Sequence, residues 1–387
     1  TRVNGYNQRA ENPTRWNEVV YTGTDYLEKM IGEKKGNVVV IAGNNQKKID
    51  YIKASVDAGL NVLSDKPMAI NTAAFEQLKV SFEIAKEKGV LLYDIMTERS
   101  EISTLLQKEF SMLPAVFGTL QKGTTENPAV TKESVHHFYK FVSGAALTRP
   151  AWFFDVNQQG EGIVDVTTHL VDLVQWECFP DQVLDYTKDI KVDDAKRWPT
   201  VITPAQFTEV TKLKTYPDYL KEAVKDSSLN IFANGEINYT VKGVHAKVSV
   251  IWNYKAPEGG GDTHYSIMRG TKANLIIRQG QEQGFKPTLY IEPVAGTDTA
   301  VFATTLAAEL KKIQAKYEGV ELKKLATSWE VIIPEKYKVG HEAHFAQVTE
   351  RYLQYLVDGK LPEWEVPNMI AKYYTTTKAL EIAKSKK

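Results

Sequence analysis

A strand–helix–strand unit near the start of the chain constrains the fold more than any other feature. The apolar run 37–42 is typical of a buried parallel strand, and an amphipathic helix from about Lys47 to Ala58 follows it. A second short strand, 61–64, ends at Asp65-Lys66-Pro67. Parallel strands joined by a helix predict an α/β domain with a doubly wound sheet. Ligands collect at the carboxyl ends of such strands, so Asp65 and Lys66 are candidate site residues.

A polar stripe on an otherwise apolar helix, predicted over 160–176, is the second constraint. Asp165, His169 and Asp172 are four and three residues apart, so they would share one helix face. A buried carboxylate is costly unless it is paired. An Asp one turn before a His can orient the imidazole and raise its basicity, as a proton-transfer group requires. The structural alternative is a core histidine with a local ion pair.

Together these segments resemble the Gfo/Idh/MocA family, the nicotinamide-dependent glucose–fructose oxidoreductase and inositol dehydrogenase group. Its signature V-V-I-A-T-P-N, a helix ending A-G-K-H-V-L, and E-K-P corresponds to 38–45, 57–63 and Asp65-Lys66-Pro67. Its second signature, G-G-G-x-x-x-D-x-G-x-H-x-x-D, corresponds to 160–172. The resemblance also includes Arg99, where the family often has an arginine after its sixth strand. It extends to the closing helices and so covers nearly the whole chain.

The resemblance implies an NAD(P)-dependent oxidoreductase that acts on a CH–OH group of a sugar, polyol or related carbohydrate. His169 would be the base, Asp165 would orient it, and Lys66 would stabilise the developing alkoxide. NAD or NADP would be held by Asn45, Asp65 and Lys66. The substrate would contact Arg99, Asp165 and His169.

Two further observations concern the substrate and a metal. Trp152 precedes the predicted catalytic helix, where it could stack on a sugar ring or equally belong to the core. The motif at 341–344 has two histidines three residues apart instead of the four of a His-Glu-x-x-His zinc motif. We therefore expect no metal.

Two other functions remain open at this level. Some relatives are glycoside hydrolases that use a tightly held NAD for transient oxidation, and others could be non-catalytic carbohydrate-binding or regulatory proteins. The second alternative is favoured by Gly43-Asn44, which replaces the family's Thr-Pro, and by the lack of a G-x-G-x-x-G motif before Val38.

The domain organisation follows from the same observations. Residues 1–97 are interpreted as an N-terminally incomplete NAD(P)-binding Rossmann domain, and we expect a further strand and Gly-rich turn before Thr1. Residues 98–387 are interpreted as an α/β substrate and oligomerisation domain that ends in helices within 341–387. Alternating apolar residues over 229–293 predict a large, mainly antiparallel sheet with a turn at Asn234-Gly235.

The outer face of this sheet predicts self-association. Five apolar residues are assigned to it in part: Ile231, Ile237, Tyr239, Ile251 and Ile267. An open sheet with apolar residues on its second face is commonly covered by a symmetric partner, so we expect a homodimer or homotetramer. The alternative is that an apparent insertion over 198–219 folds over the sheet and keeps the chain monomeric.

The composition of the chain bears on nucleic acid, membranes, disulfides and the cellular compartment. The 48 basic and 48 acidic residues cancel, so there is no electrostatic basis for binding nucleic acid or an anionic membrane. No stretch approaches the roughly 20 apolar residues of a transmembrane helix. The single cysteine, Cys178, excludes an internal disulfide framework. The compartment stays undetermined: cytoplasmic by default, with a periplasmic or exported location open.

Overall fold

The computed structural model describes residues 2–142 and 144–386 and arranges them around two main sheets. The smaller sheet is parallel, with strand order β1-β2-β3, and consists of β1 (Val38–Ile41), β2 (Asn61–Asp65) and β3 (Leu92–Ile95). The helices of this part are α1 (Arg2–Gln8), α2 (Tyr26–Glu33), α3 (Lys48–Asp57) and α4 (Thr72–Lys88). The helices α3 and α4 make the two crossovers between parallel strands that the sequence pattern predicts.

Local sequence signals explain the crossover helices. The Asn71 side chain caps α4 by accepting a hydrogen bond from Ala74 N at 2.9 Å, and the helix ends at Gly89 in a left-handed conformation. The apolar faces of α3 and α4 bury Ile52 and Leu78 against the sheet. As a result, the carboxyl ends of β1, β2 and β3 open onto one common edge, where the candidate site residues follow the strands.

The second sheet is large, mixed and mainly antiparallel. Its strands are β4 (Val130–Tyr139), β7 (Ile190–Ile202), β8 (Val224–Lys225), β9 (Ser228–Val241), β10 (Val244–Lys255), β11 (Thr263–Arg269), β12 (Ala273–Arg278), β13 (Thr288–Pro293), β14 (Glu321–Lys324) and β15 (Trp329–Ile332), while β5 (Phe141–Val142) and β6 (Ala145–Ala146) form a separate hairpin. The strand order is β14-β15-β13-β12-β11-β4-β10-β9-β7, with β8 added beside β9. Only the β4–β10 pair is parallel within this sheet. The predicted fold class is confirmed.

The remaining helices cover one face of this large sheet, apart from the helix over 341–358, which packs with the small sheet through Val348 and Tyr352. They are α5 (Ile102–Ser111), α6 (Val156–Gln159), α7 (Thr167–Cys178), α8 (Pro204–Thr211), α9 (Thr299–Gln314), α10 (His341–Asp358) and α11 (Glu365–Ser385), with short 3-10 helices at 97–100, 151–154, 218–223, 281–283 and 335–337. α11 reaches both cores, since its Tyr373 packs with the small parallel sheet and its Leu380 packs with the large one. The closing helices therefore join the two parts of the molecule.

The predicted turn at Asn234-Gly235 is wrong, because β9 runs unbroken through these residues. Gly235 instead allows β9 and the segment before α7 to approach each other closely. A Cβ on Gly235 would lie 2.6 Å from Ile163 Cβ, and a Cβ on Gly162 would lie 1.7 Å from the Ala233 carbonyl oxygen. Glycine on both sides therefore lets the segment before α7 lie directly on β9.

The assignment of apolar residues to the outer sheet face needs correction. Ile231, Ile237 and Tyr239 are buried on the inner face, because odd-numbered residues of β9 point towards the helices. Ile251 is 39% exposed, and Ile267 packs in a small separate cluster with Ile276. The outer face is therefore less apolar than the sequence pattern predicts.

The expected insertion over 198–219 is also an integral part of the fold. Its first residues complete β7, and α8 follows with a Thr203 capping box. Ile202 and Phe207 pack with Leu229 of β9 in a third apolar cluster. The segment covers the inner face of the sheet, so the proposed cover of the outer face is wrong.

Candidate active site

The central contact of the site joins the two parts of the molecule. Lys66 follows β2, and its Nζ lies 2.6 Å from Asp165 Oδ1 in the segment before α7. The second carboxylate oxygen of Asp165 accepts a hydrogen bond from Gln159 Nε2 at 2.9 Å. The side chains of Lys66 and Asp165 are 16% and 8% exposed, so the ion pair is largely shielded from water. The structure thus unites two of the three residues expected to be catalytic.

His169 stands beside this pair, but Asp165 does not orient it. Its half-buried ring has no hydrogen-bond partner at Nδ1 among the described residues. The predicted Asp165–His169 contact is wrong because α7 begins at Thr167, so Asp165 lies in the preceding turn and off the helix face of His169. Burial, together with the positive charge of Lys66, lowers the pKa of His169 well below its usual value. The imidazole is therefore neutral at pH 7 and can accept a proton.

Asn45 and Asp65, the expected cofactor-binding residues, have structural hydrogen bonds. Asn45 Nδ2 donates to the Gln159 carbonyl oxygen at 2.6 Å, and Asn45 N donates to the Gln158 carbonyl oxygen at 2.9 Å. Asp65 Oδ1 accepts from Lys66 N at 2.9 Å. Asn45 thus ties the loop after β1 to the segment that carries Asp165, and Asp65 fixes the backbone from which Lys66 extends.

Lys48 forms hydrogen bonds with the backbone of the loop that carries Lys66. It is fully buried, and its Nζ donates to the carbonyl oxygens of Asp65 at 3.0 Å and Lys66 at 3.4 Å. Burial lowers its pKa to about 8, while the Asp65 charge opposes this shift. In the fold Lys48 therefore fixes the backbone from which Lys66 extends.

Arg99 is not placed as a substrate contact. It is 3% exposed; Nε and Nη2 each donate to Asp172 at 2.7 Å, and Nη1 donates to Glu365 at 3.0 and 3.2 Å. Lys372 of α11 also donates to Asp172 at 2.9 Å and pairs with Asp94 of β3 at 2.7 Å. Burial lowers the pKa of Arg99, but the carboxylates of Asp172 and Glu365 raise it by more. Arg99 therefore belongs to a buried ion-pair network that joins elements of the two sheets. This corrects the predicted role of Arg99 as a substrate contact.

Two aromatic side chains, Phe153 and Trp252, lie beside Asp165 and are called the aromatic wall. A pocket that includes Asp165 is lined by Phe153 and Trp252, whereas Trp152 is half-buried and packs on Phe153 at 6.5 Å. Trp252 also stacks on His136 with ring centroids 5.0 Å apart. Trp152, the aromatic residue expected to contact substrate, is thus not among the residues that line this pocket, whereas Phe153 and Trp252 of β10 are.

A charged cluster centred on Asp262 adjoins this wall. Asp262 accepts from His136 Nδ1 at 3.0 Å and from the backbone N of His137 at 3.1 Å, and it pairs with Lys140. His136 and His137 are adjacent in the sequence, whereas Asp262 lies about 125 positions later, in a Gly-rich segment. Their meeting depends on the parallel pairing of β4 with β10 and the antiparallel pairing of β4 with β11, which no local pattern encodes.

Two further residues at the cleft had no separate role in the sequence analysis. Glu98 follows β3, and burial together with the Glu101 charge raises its pKa to about 7, although Lys66 opposes the shift. Arg149 is half-buried and stacks on Phe153 at 4.3 Å. Glu98 could have been singled out by its place at a strand's carboxyl end. No signal in the sequence distinguishes Arg149 from a surface arginine.

The loops at the carboxyl edge fit the nicotinamide end of a dinucleotide. Gly43 has φ +125°, and a Cβ there would meet nothing within 4 Å, so the loop after β1 leaves open space. The ammonium group of Lys66, which follows the carboxyl end of β2, lies at the same edge. A Gly-rich strand-to-helix turn for the pyrophosphate is not among residues 2–142 and 144–386.

The described residues also bear on binding to metal ions and membranes. In the part of the chain that is described, no group of three or more His, Cys, Asp or Glu side chains is arranged to hold a metal ion. None of the described helices combines the length and apolar character needed to cross a membrane.

Two family models match nearly the whole chain. Residues 3–94 match "Oxidoreductase family, NAD-binding Rossmann fold", the Gfo/Idh/MocA model, and residues 106–384 match "Putative oxidoreductase C terminal domain". No protein of curated function matches the sequence.

Solved structures show similar chains. A "putative oxidoreductase" from Parabacteroides merdae is 61% identical, with a TM-score of 0.97, over 100% of this chain and 88% of that one. Levoglucosan dehydrogenase in complex with NADH and L-sorbose is 13% identical, with a TM-score of 0.60, over 94% and 82%. A 3-ketoreductase from Actinomadura kijaniata in complex with TDP-benzene and NADP is 12% identical, with a TM-score of 0.52, over 91% and 79%. The latter two likenesses show the fold alone.

Proposed function

We propose that this chain, which belongs to the Gfo/Idh/MocA family of NAD-binding oxidoreductases, acts on a CH–OH group of a sugar, polyol or related carbohydrate. The family, the oxidoreductase class and the nicotinamide cofactor expected from the sequence are confirmed. The carbohydrate substrate is the proposal. One observation carries it: the Lys66–Asp165 pair stands beside a neutral histidine with an unsatisfied nitrogen, next to an aromatic wall.

His169 acts as the base in this proposal. A hydroxyl proton must leave the substrate oxygen as the hydride leaves its carbon, and a neutral imidazole accepts that proton. The lowered pKa of His169 keeps the ring unprotonated at pH 7. In the reverse direction the protonated ring returns the proton to the carbonyl oxygen, so the same residue serves both reactions.

Lys66 stabilises the oxygen that loses the proton. Its ammonium group is held by Asp165 and by a loop fixed through Lys48, so it is oriented before the substrate arrives. Fixed donors aimed at developing charge cost no reorganisation during the reaction. When bound, the nicotinamide would supply the acceptor for the hydride, and the loops after β1 and β2, with Asn45, Asp65 and Lys66, would hold it.

The raised pKa of Glu98 supports a second candidate function, that of a glycoside hydrolase that oxidises its substrate transiently. A carboxyl group with a pKa of about 7 is half protonated at neutral pH, as a general acid for a leaving group requires. Such an enzyme releases a new sugar reducing end without net formation of reduced nicotinamide. The dehydrogenase accumulates reduced nicotinamide in proportion to the oxidised sugar.

A test compares turnover in three proteins. Wild type, His169→Ala and the control His245→Ala, a histidine of β10 outside the described cleft cluster, are supplied with NAD or NADP and a panel of sugars and polyols. We expect His169→Ala to lower kcat by roughly 10²- to 10⁴-fold with an unchanged melting temperature, and His245→Ala to resemble wild type. Full activity in His169→Ala would disprove the assignment. Hydrolysis of glycosides without reduced nicotinamide would establish the second candidate.

The proposal includes self-association through the outer face of the large sheet. Ile267, Ile276 and Tyr290 are buried there against one another, while Ile251 is 39% exposed. We expect a homodimer or homotetramer in sedimentation, and we expect Ile251→Glu to shift the distribution towards monomer. A single wild-type species near 43.6 kDa at all micromolar concentrations would rule this interface out.

A further inference from the structure

Arg149 is a half-buried cation that has no carboxylate partner among the described residues. Its Nε donates to the Phe138 carbonyl oxygen and its Nη2 to the His137 carbonyl oxygen, both at 2.9 Å. No acidic side chain within residues 2–142 and 144–386 forms a salt bridge with it, whereas Lys132 and Lys372 are each paired. A shielded cation without a counter-charge is costly to maintain. Such a residue indicates an anion that arrives from outside the chain.

The neighbouring carboxylates are already occupied. Asp165 is taken by Lys66 and Gln159, and Asp262 is taken by His136 and Lys140. Both carboxylates still act on Arg149 at longer range: burial lowers the pKa of Arg149 to about 10, while Asp262 and Asp165 raise it. The guanidinium is therefore positively charged at neutral pH, and the two carboxylates that act on it are each paired with other groups.

The position of Arg149 links it to the active site. Its guanidinium carbon lies 4.3 Å from the ring centre of Phe153 and 5.2 Å from that of Trp252. These two rings line the same pocket as Asp165. A sugar ring held against the aromatic wall would thus have the Lys66–Asp165 pair at one side and Arg149 at another.

The hydrogen-bond donors of Arg149 indicate which class of anion it binds. Of the three guanidinium nitrogens, Nε and Nη2 each make a backbone hydrogen bond, and Nη1 has no acceptor among the described residues. A planar carboxylate needs one or two N–H donors, whereas phosphate sites usually combine several cations with backbone N–H groups at a helix N-terminus. Lys140, the nearest ammonium of the Asp262 cluster, is already paired. The geometry suits a carboxylate better than a phosphate.

We propose that Arg149 is a specificity residue that pairs with the carboxylate of an acidic carbohydrate, so that the substrate is a uronic or aldonic acid rather than a neutral sugar. This inference rests on the proposed function and narrows its substrate class. The hydroxyl that reacts lies at the Lys66 and His169 side, and the carboxylate lies at the Arg149 side of the aromatic wall. Arg149 takes no part in proton or hydride transfer, so it should affect KM far more than kcat.

The experiment uses matched ligand pairs with the full chain. Hexuronates and hexonates are compared with the corresponding aldoses and alditols, by thermal shift and calorimetric binding at fixed ionic strength and by turnover with NAD and NADP. In wild type we expect the acid of at least one pair to bind and to react in preference to its neutral counterpart. In Arg149→Gln we expect a loss of roughly 10- to 100-fold in affinity and kcat/KM for the acid, and little change for the neutral sugar.

Two variants keep this test decisive. Arg149→Lys keeps the charge and should retain part of the preference, even if Arg149→Gln folds poorly. Arg9→Gln is the matched control, because Arg9 also stacks on an aromatic ring, that of Tyr6, and donates to a backbone carbonyl oxygen, but it is exposed in the N-terminal part. It should behave as wild type.

The outcomes separate this inference from the proposed function. If neutral sugars are oxidised in a His169-dependent reaction and no acid is preferred in binding or turnover, the role of Arg149 is disproved and the dehydrogenase stands. If an acid binds through Arg149 but no reduced nicotinamide forms, the Arg149 site stands and the proposed function fails. An acid preference that Arg149→Gln leaves unchanged also disproves the role of Arg149.

Discussion

Arg99 and Arg149 lie in two polar regions of the same molecule that differ in how their charges are satisfied. Every nitrogen of the Arg99 guanidinium donates to Asp172 or Glu365, and the residue is 3% exposed. Arg149 is half-buried, donates to two backbone carbonyl oxygens and has no described carboxylate partner. Both arginines stack on aromatic rings, so the difference lies in the counter-charges.

The difference separates a structural network from a binding region. The Arg99 network is buried and joins β3, α7 and α11, so it fixes elements of the two sheets relative to one another. In the cleft, His169 Nδ1 and Arg149 Nη1 have no partner among residues 2–142 and 144–386. Unsatisfied groups in a shielded site cost stability, and they are kept where a ligand completes them. The following predictions test this contrast.

The largest expected effect on stability is that of Arg99→Met. The substitution leaves the buried carboxylates of Asp172 and Glu365 with one cation fewer, so the free energy of unfolding should fall by about 3 to 5 kcal/mol. Urea titration measures it, with Arg149→Gln as the matched control, for which we expect a loss of no more than about 1 kcal/mol. Wild-type stability combined with weakened substrate binding in Arg99→Met would restore the substrate role for Arg99 and break the contrast.

Lys66→Met should have the next largest effect, on catalysis. Removal of the cation that stabilises the developing alkoxide should lower kcat by roughly 10²- to 10³-fold. The positive charge of Lys66 also lowers the pKa of His169, so the acid limb of the pH–rate profile should move to higher pH in the variant. Lys66→Arg, which keeps the charge, should leave that limb in place. An unchanged limb in Lys66→Met would show that the two groups do not interact.

Glu98→Gln should have the smallest effect and the opposite sign. The folded carboxyl holds its proton up to about pH 7 and the unfolded one releases it near 4.5, so stability falls as pH rises between these values. Gln removes this loss, and Glu98→Gln should be more stable than wild type by about 3 kcal/mol at pH 8 and equal to it near pH 4. Thermal unfolding at both pH values measures it. Glu87→Gln, at an exposed position of α4, should show no such difference.

The sequence predicted the residues with a fixed local context. Lys66 comes directly after a short strand and before a proline, and Asp165 and His169 belong to a signature with fixed spacing, so pattern and resemblance were sufficient to find them. The sequence was less informative about the roles of these residues. Asp165 was expected to orient His169, yet it pairs with Lys66, because α7 starts two residues later than Asp165 and a partner 99 positions away is closer.

Spacing along the chain therefore determined the parallel strand–helix–strand unit, the family signatures and the residue types of the proton-transfer site. Only the tertiary structure decided which charges are paired. Arg99 and Arg149 are indistinguishable as sequence letters, but one meets Asp172 and Glu365 across 73 and 266 positions of chain, and the other meets carbonyl oxygens and aromatic rings. Electrostatic energy depends on distance and burial in three dimensions, and neither quantity is a local property of the sequence.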